Sequence, residues 1–227
     1  MKILCADTAT LTASVALVQE GEILAERLAR SLAGHGPGLL DLIHGVLEDA
    51  EVELGALDAL VCGLGPGTFT GLRIALATLK GLALAQALPL YGVRTTAALR
   101  AALPGAHGVA ILDARRGEIF VEAEGLEPVC CRPAGIGAHL AADRPWVLVG
   151  DGARKYAKQL INELPHAQLA AGASVHVVRA ALLAERLDLS QPAPALATLE
   201  PTYVRRSDAE INYPDGFPDF SGHAPGA

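Results

Sequence analysis

Apolar and polar positions follow distinct rhythms along this chain, and each change of rhythm marks a new element. Residues 2–8 (KILCADT) form a mostly apolar strand with a polar end. Residues 13–19 (ASVALVQ) and 22–30 (EILAERLAR) are two more strands, with Glu20-Gly21 as a hairpin break. Residues 34–38 are a loop. Over 39–50 the period becomes helical: Leu39, Leu42, Ile43, Val46, Leu47 and Ala50 share one face, opposite Asp41, His44, Glu48 and Asp49. An apolar strand at 57–64 runs into a glycine-rich loop, and a helix over 70–88 stops at Pro89. A strand at 90–93 and a short helix at 96–103 follow.

The order then starts again. Strands at 108–113, 118–123 and 128–132 precede a helix at 136–142, a strand at 146–149, and helices at 154–164 and 174–187. Two successive runs of βββαβα predict an α/β protein with a duplicated architecture, repeated in element order and not in residues. From about residue 207 the chain is rich in Pro, Gly and Asp and reads as a mobile tail.

The 70–88 helix carries two opposed apolar stripes, since successive residues are rotated by about 100°. Leu72, Leu76, Leu79 and Ala83 make a bulky one; Ile74, Ala77, Gly81, Leu84, Ala85 and Leu88 make another. A helix apolar on two sides is covered on two sides. The second cover is either the 39–50 helix or a helix of another chain.

The loop before that helix, GLGPGTFTGLR (63–73), has the composition of a phosphate cradle. A Walker loop requires Lys and Ser/Thr after its second glycine, but Leu72-Arg73 follow Gly71. The dinucleotide pattern requires glycines at n, n+2 and n+5; counted from Gly63 or Gly65, the last position is Thr68 or Thr70. A strand-to-helix turn remains, with Thr68 or Thr70 available to cap the helix.

Composition narrows the function classes. Of 227 residues, 51% are hydrophobic and 4% aromatic, so a sizeable core is built from Ala, Leu and Val. A net charge of −7 argues against gripping nucleic acid alone, and pairs such as Arg115-Arg116 and Arg205-Arg206 are too short for a basic patch. No signal-peptide pattern is read at the start, where Asp7 interrupts the apolar run, and no uncharged run approaches a membrane helix in length. Cys5 and Cys62 lie in apolar strands, and neighbours Cys130 and Cys131 lack zinc-ligand spacing, so a reducing cytoplasm is the expected setting. The seven histidines include no H-x-x-x-H pair; His35 reads as a loop residue and His44 as a solvated helix position. Residues 113–118 (DARRGE) read as a charged hairpin turn.

Asp7-Thr8, at the end of the first strand, raises a further option. In actin-like ATPases a first hairpin with Asp and small hydroxyl residues faces nucleotide phosphate, but such hairpins carry glycine and residues 9–12 (ATLT) have none. Several stretches together resemble the TsaB (YeaZ-like) family: ILCADTAT (3–10), HGPGLLDLIHGVLEDA (35–50), LVCGLGPGTFTGLRIALATLKGLALA (60–85), DARRGEIFV (113–121) and EPTYVRRSDA (200–209). The first 125 or so residues carry most of the likeness. The family has Ser where Thr68 stands and Asp-Thr-Ser where Ala9 follows Thr8; Thr68 keeps the hydroxyl, and Ala9 removes one.

The resemblance implies an actin-like ATPase (ASKHA) fold without catalysis of its own. It further implies a cytoplasmic scaffold or activating subunit of the tRNA threonylcarbamoyladenosine machinery, paired with the catalytic paralogue TsaD and joined by the ATPase TsaE. ATP and metal are expected in those partners and no cofactor in this chain alone; tRNA is met only through the complex, with no membrane involved. Self-association without the partner stays open. The expected organisation is 1–103, 104–206 with its end packing back on the first half, and a tail at 207–227. Leu39, Ile43, Ile74, Ala77, Gly81, Leu84 and Ala85 are nominated as partner interface. Gly65, Pro66, Gly67, Thr68, Phe69, Thr70, Gly71 and Arg73 form the family-motif loop, and Asp7 and Thr8 a vestigial phosphate hairpin. The rivals are an ATP-using phosphotransferase of the same fold and a glycoprotease-like peptidase.

Overall fold

The computed structural model describes residues 1–30, 38–103 and 107–205. Strands β1 (Lys2–Asp7), β2 (Thr12–Gln19) and β3 (Glu22–Arg30) form an antiparallel meander. Its β2–β3 turn puts Glu20 and Gly21 at φ 52° and 85°, as tight hairpin turns require. Helix α1 (Leu39–Asp49) crosses to β4 (Ala59–Gly63), and α2 (Phe69–Gln86) crosses to β5 (Leu90–Val93). Both strands add parallel to β1, which is why each needs a crossover helix. The sheet order is β3-β2-β1-β4-β5.

After α3 (Thr95–Ala101), the second half builds the same sheet. Strands β6 (Gly108–Arg115), β7 (Glu118–Ala123) and β8 (Leu126–Cys131) form a meander, and β9 (Val147–Val149) and β10 (Gln168–Leu169) add parallel to β6. The order β10-β9-β6-β7-β8 is that of the first sheet, strand for strand. Each half thus has five strands where the hydrophobic pattern of the second gave four. The two-residue β10 is too short to leave a periodic signal.

The second half departs from its predicted helices. The expected 136–142 helix is a 3₁₀ turn at Pro133–Ala138, where Gly135 and Gly137 disfavour an α-helix. The 154–164 helix begins earlier and breaks at Tyr156 into α4 (Asp151–Lys155) and α5 (Ala157–Glu163). The 174–187 helix is a 3₁₀ turn (Ser174–His176) and a four-residue α6 (Ala181–Ala184). There the imidazole of His176 bonds the backbone at both Gly150 and Ala170, which anchors the turn tertiarily and ends any helical run. The 34–37 loop, His35 and the 207–227 tail lie outside the described residues.

Helices α1 and α2 cover one face of the first sheet. Ala98 of α3 and Ala180, Ala181 and Leu183 cover the other, while Leu99 of α3 packs on the second sheet. Helix α3 therefore lies between the halves. Its adjacent threonines reach buried carboxylates on opposite sides: Thr95 donates to Asp7 of β1 at 2.5 Å, and Thr96 donates to Glu122 of β7.

Candidate functional site

The glycine loop is buried at Gly63, Gly65 and Pro66 and comes to the surface from Gly67 on. Leu64 N donates to Val93 O at 2.8 Å, Gly65 N to Thr95 Oγ1 at 3.0 Å, and Thr68 N to Ala9 O at 2.8 Å. Gly65 takes φ 94°, a conformation glycine adopts without a steric penalty. The other glycines are needed for closeness: a Cβ at Gly63 would lie 1.9 Å from the Asp7 carboxylate, at Gly67 2.5 Å from Ala9, and at Gly71 2.0 Å from Thr8 O. These neighbours are the end of β1 and the turn that follows it, so the loop packs closely against the chain itself. Thr68 is the N-cap of α2 by position, but its side chain makes no cap hydrogen bond, contrary to expectation.

Asp7 and Thr8 are consumed by the same packing. The Asp7 side chain is fully buried; it accepts from Thr95 Oγ1 and, at 2.8 Å, from Ala9 N. Burial pushes its carboxyl above the usual aspartate range, against the hydrogen bonds from Thr95 and Ala9. Thr8 Oγ1 donates to Gly71 O at 2.6 Å. Thr8 ties the end of β1 to the start of α2, and Asp7 ties it to the start of α3.

Helix α2 buries its bulky stripe, with Leu72, Leu76, Leu79 and Ala83 all in the interior. The small stripe is bare except at its end: Ile74 is 48% and Leu84 73% exposed, Ala77, Gly81 and Ala85 are exposed too, and Leu88 is half-buried against the first core. Helix α1 does not cover it. Leu39 and Ile43, nominated with that stripe, are buried in the first core at 8% and 3%, because the α1 face that carries them is the one the sheet claims. They are corrected to core residues.

Beside the start of α2 lies a cavity of about 350 Å³, lined by Gly67–Thr70 of the family-motif loop, Asp113–Arg116, Phe120 and residues 202–205. The segment 199–205 crosses between the halves. Leu199 is buried in the first core and its carbonyl accepts from Lys80 Nζ at 2.8 Å. Thr202 N donates to Leu64 O at 2.7 Å, and Arg205 donates to Ala114 O and Glu118. Arg73 stacks 3.8 Å over the Phe69 ring and donates from Nε to the Tyr203 hydroxyl at 2.9 Å. The 113–118 segment is the β6–β7 turn, as expected, with Asp113 held by Lys155 Nζ at 2.7 Å. Sequence reasoning left this cluster unseen because its members come from residues 69–73, 113–118 and 202–205.

Among the described residues, no group of three or more His, Cys, Asp or Glu is placed to hold a metal ion. His44 is exposed beside Glu48. Burial pushes the Cys5 thiol up to about 12 and raises that of Cys62, as for inert core cysteines. Cys130 and Cys131 pack on opposite faces of the second sheet. No helix among the described residues is long and apolar enough to cross a membrane.

Two sheets of one topology, joined through a shared inner helix, define an actin-like ATPase (ASKHA) fold. The family model described as TsaD, tRNA N6-adenosine threonylcarbamoyltransferase, matches residues 23–128. The tRNA threonylcarbamoyladenosine biosynthesis protein TsaB of Escherichia coli K12 is 36% identical over 126 residues, 53% of this chain and 53% of that protein. The match therefore spans about half of that relative. An uncharacterised protein of Mycobacterium tuberculosis is 31% identical over 212 residues, 92% of this chain and 93% of its own. A Pseudomonas aeruginosa crystal structure, described as similar to peptidase YEAZ, superposes with a TM-score of 0.75 at 28% identity, covering 90% of this chain and 99% of that one. The chain is TsaB-like (YeaZ-like): it is similar to a TsaB over 53% of its length and to a YeaZ-like structure over 90%.

Proposed function

We propose that this chain is a non-catalytic, cytoplasmic subunit of the tRNA threonylcarbamoyladenosine machinery, which pairs with a TsaD-type paralogue through the exposed face of α2. The bare stripe Ile74-Ala77-Gly81-Leu84-Ala85 carries the reading. Small residues at four-residue steps let a partner helix approach closely, and exposed Ile74 and Leu84 gain by being covered. The likeness to a TsaB named for this pathway supports the pathway. The commitment of Asp7 and Thr8 to internal hydrogen bonds weighs against the phosphotransferase rival. ATP and metal belong to the partners in this reading, a TsaE-type ATPase joins the pair, and the same stripe can self-associate when the partner is absent.

The test is co-purification with the TsaD-type paralogue of the same cell, followed by a threonylcarbamoylation assay with and without this chain. Ala77→Glu sets an unpaired carboxylate in the joint; at about 3 kcal/mol or more, association weakens by over a hundredfold, while the monomer melts near wild type. Leu79→Glu, in the fully buried stripe, unfolds the chain. Normal partner capture by Ala77→Glu would refute the assignment. So would ATP turnover by the isolated chain that disappears on Asp7→Ala.

A further inference from the structure

Helix α2 contains no Asp or Glu, and its two basic residues, Arg73 and Lys80, stand seven positions apart. At about 100° per residue, Arg73, Ala77, Lys80 and Leu84 fall on one row of the helix, so the cations alternate with residues of the bare stripe. The same row edges a groove of about 500 Å³, lined by Arg73, Ala77 and Lys80 of α2 and by Leu199, Glu200 and Tyr203 of the crossing segment.

Both cations are held in place by neutral groups. Arg73 stacks over the Phe69 ring and donates to the Tyr203 hydroxyl, while Lys80 donates to the Leu199 carbonyl. Among the described residues no ion pair joins either to a carboxylate, Glu200 in the groove included. By contrast Arg27, Lys155 and Arg179 are held by Asp49, Asp113 and Glu26. At Arg73 and Lys80 the chain itself fixes the position and leaves the charge uncancelled. A side chain ordered in advance loses little freedom when a carboxylate meets it.

We propose that the helix covering α2 carries two carboxylates about seven residues apart, which seat on Arg73 and Lys80 while smaller side chains pack against Ala77 and Leu84. The inference rests on the subunit reading above and supplies the chemistry of the partner's face. Seven positions span about 10 Å on either helix, so such a pair meets both cations when the two helices pack with axes nearly aligned. The occupant is a different chain. A second copy of α2 laid on the same stripe brings two more cations and no carboxylate. Charges edging an apolar joint in this way set orientation and partner choice.

Arg73→Gln with Lys80→Gln removes both charges and leaves a donor at each position for Tyr203 and Leu199, so the variant folds as wild type does. Its Kd for the TsaD-type paralogue rises about tenfold near 0.1 M salt, and the dependence of Kd on salt flattens. Lys158→Gln with Arg186→Gln, the same charge change on exposed residues elsewhere, stays within twofold. One Asp or Glu of the paralogue, changed to Gln, weakens binding to wild type and leaves binding to the double variant nearly unaltered, as a direct pair requires. Self-association of the isolated chain, followed by sedimentation, is not weakened; a loss there would give the cations to a second copy and overturn the proposal. Unchanged affinity and salt dependence in the double variant, with Ala77→Glu still blocking association, would keep the joint and refute the cation row. If Ala77→Glu binds normally as well, or the wild-type chains do not associate, the subunit reading falls and this inference falls with it.

Discussion

The turn between β1 and β2 and the turn between β6 and β7 hold the same place in the two sheets, yet one is sealed and the other open. Their likeness extends to residues. Asp7 accepts from the backbone of Ala9 two positions on, and Asp113 accepts from Arg115 two positions on, at 2.8 and 3.1 Å. The difference lies in what faces each turn. Gly67 and Gly71 bring the loop and first turn of α2 hard against Ala9 and Thr8. Glycines at 150 and 152 press instead on Ile111 and Leu112, below the second turn, whose arginines stand out at a cavity. A duplicated backbone thus holds one closely packed joint and one turn that borders a cavity. The helix-entry loop decides which is which.

The comparison breaks most visibly through the glycines. Gly71→Ala sets a methyl on the Thr8 carbonyl and destabilises the chain by about 3 kcal/mol, a fall in melting temperature of about 6 to 12 °C. Gly117→Asn meets nothing within 4 Å and suits the positive φ, so it melts within about 2 °C of wild type. Similar melting of the two would mean the first turn is not sealed.

A smaller effect is expected at Thr8. Thr8→Val keeps the shape but deletes the bond to Gly71 O, costing about 1 to 2 kcal/mol. Denaturant unfolding with unchanged m-value and a lowered midpoint is the expected result.

The subtlest effect is a slope with pH. Because burial raises the Asp7 carboxyl, the native state keeps this proton to higher pH than the unfolded chain does. Its contribution is fully present below the ordinary aspartate range, near pH 4, and is lost as pH rises through the raised native value. Asp7→Asn removes that titration, so its stability relative to wild type improves from pH 4 towards neutrality. A difference that stays flat, or runs the other way, would place Asp7 in a solvated, open site.

Much of the first half was legible in the sequence because each element carries a full period of its own. The meander, α1, α2 and β5 are long or cleanly bounded, and the two stripes of α2 follow from spacing alone. The second half was less legible: its crossovers are short, glycine-bearing or held by a single anchor such as His176, and tertiary bonds outweigh weak local preference there. Patterning set which residues of α1 and α2 are apolar, but not whether the one apolar face of α1 packs on its own sheet or on a partner, so Leu39 and Ile43 were placed outside and belong inside.

By itself, then, the sequence determined the element order of the first half, the duplication, the failure of the glycine loop as a nucleotide signature, and the likeness to TsaB. Only the tertiary structure decided that the loop's glycines exist for Asp7, Thr8 and Ala9, that most of the small stripe of α2 is bare, and that residues 67–70, 113–116 and 202–205 line one cavity. The physical reason is range. Periodicity and turn chemistry act between residues a few positions apart, whereas close approach, exposure and electrostatic potential depend on which surfaces meet after the chain has closed on itself.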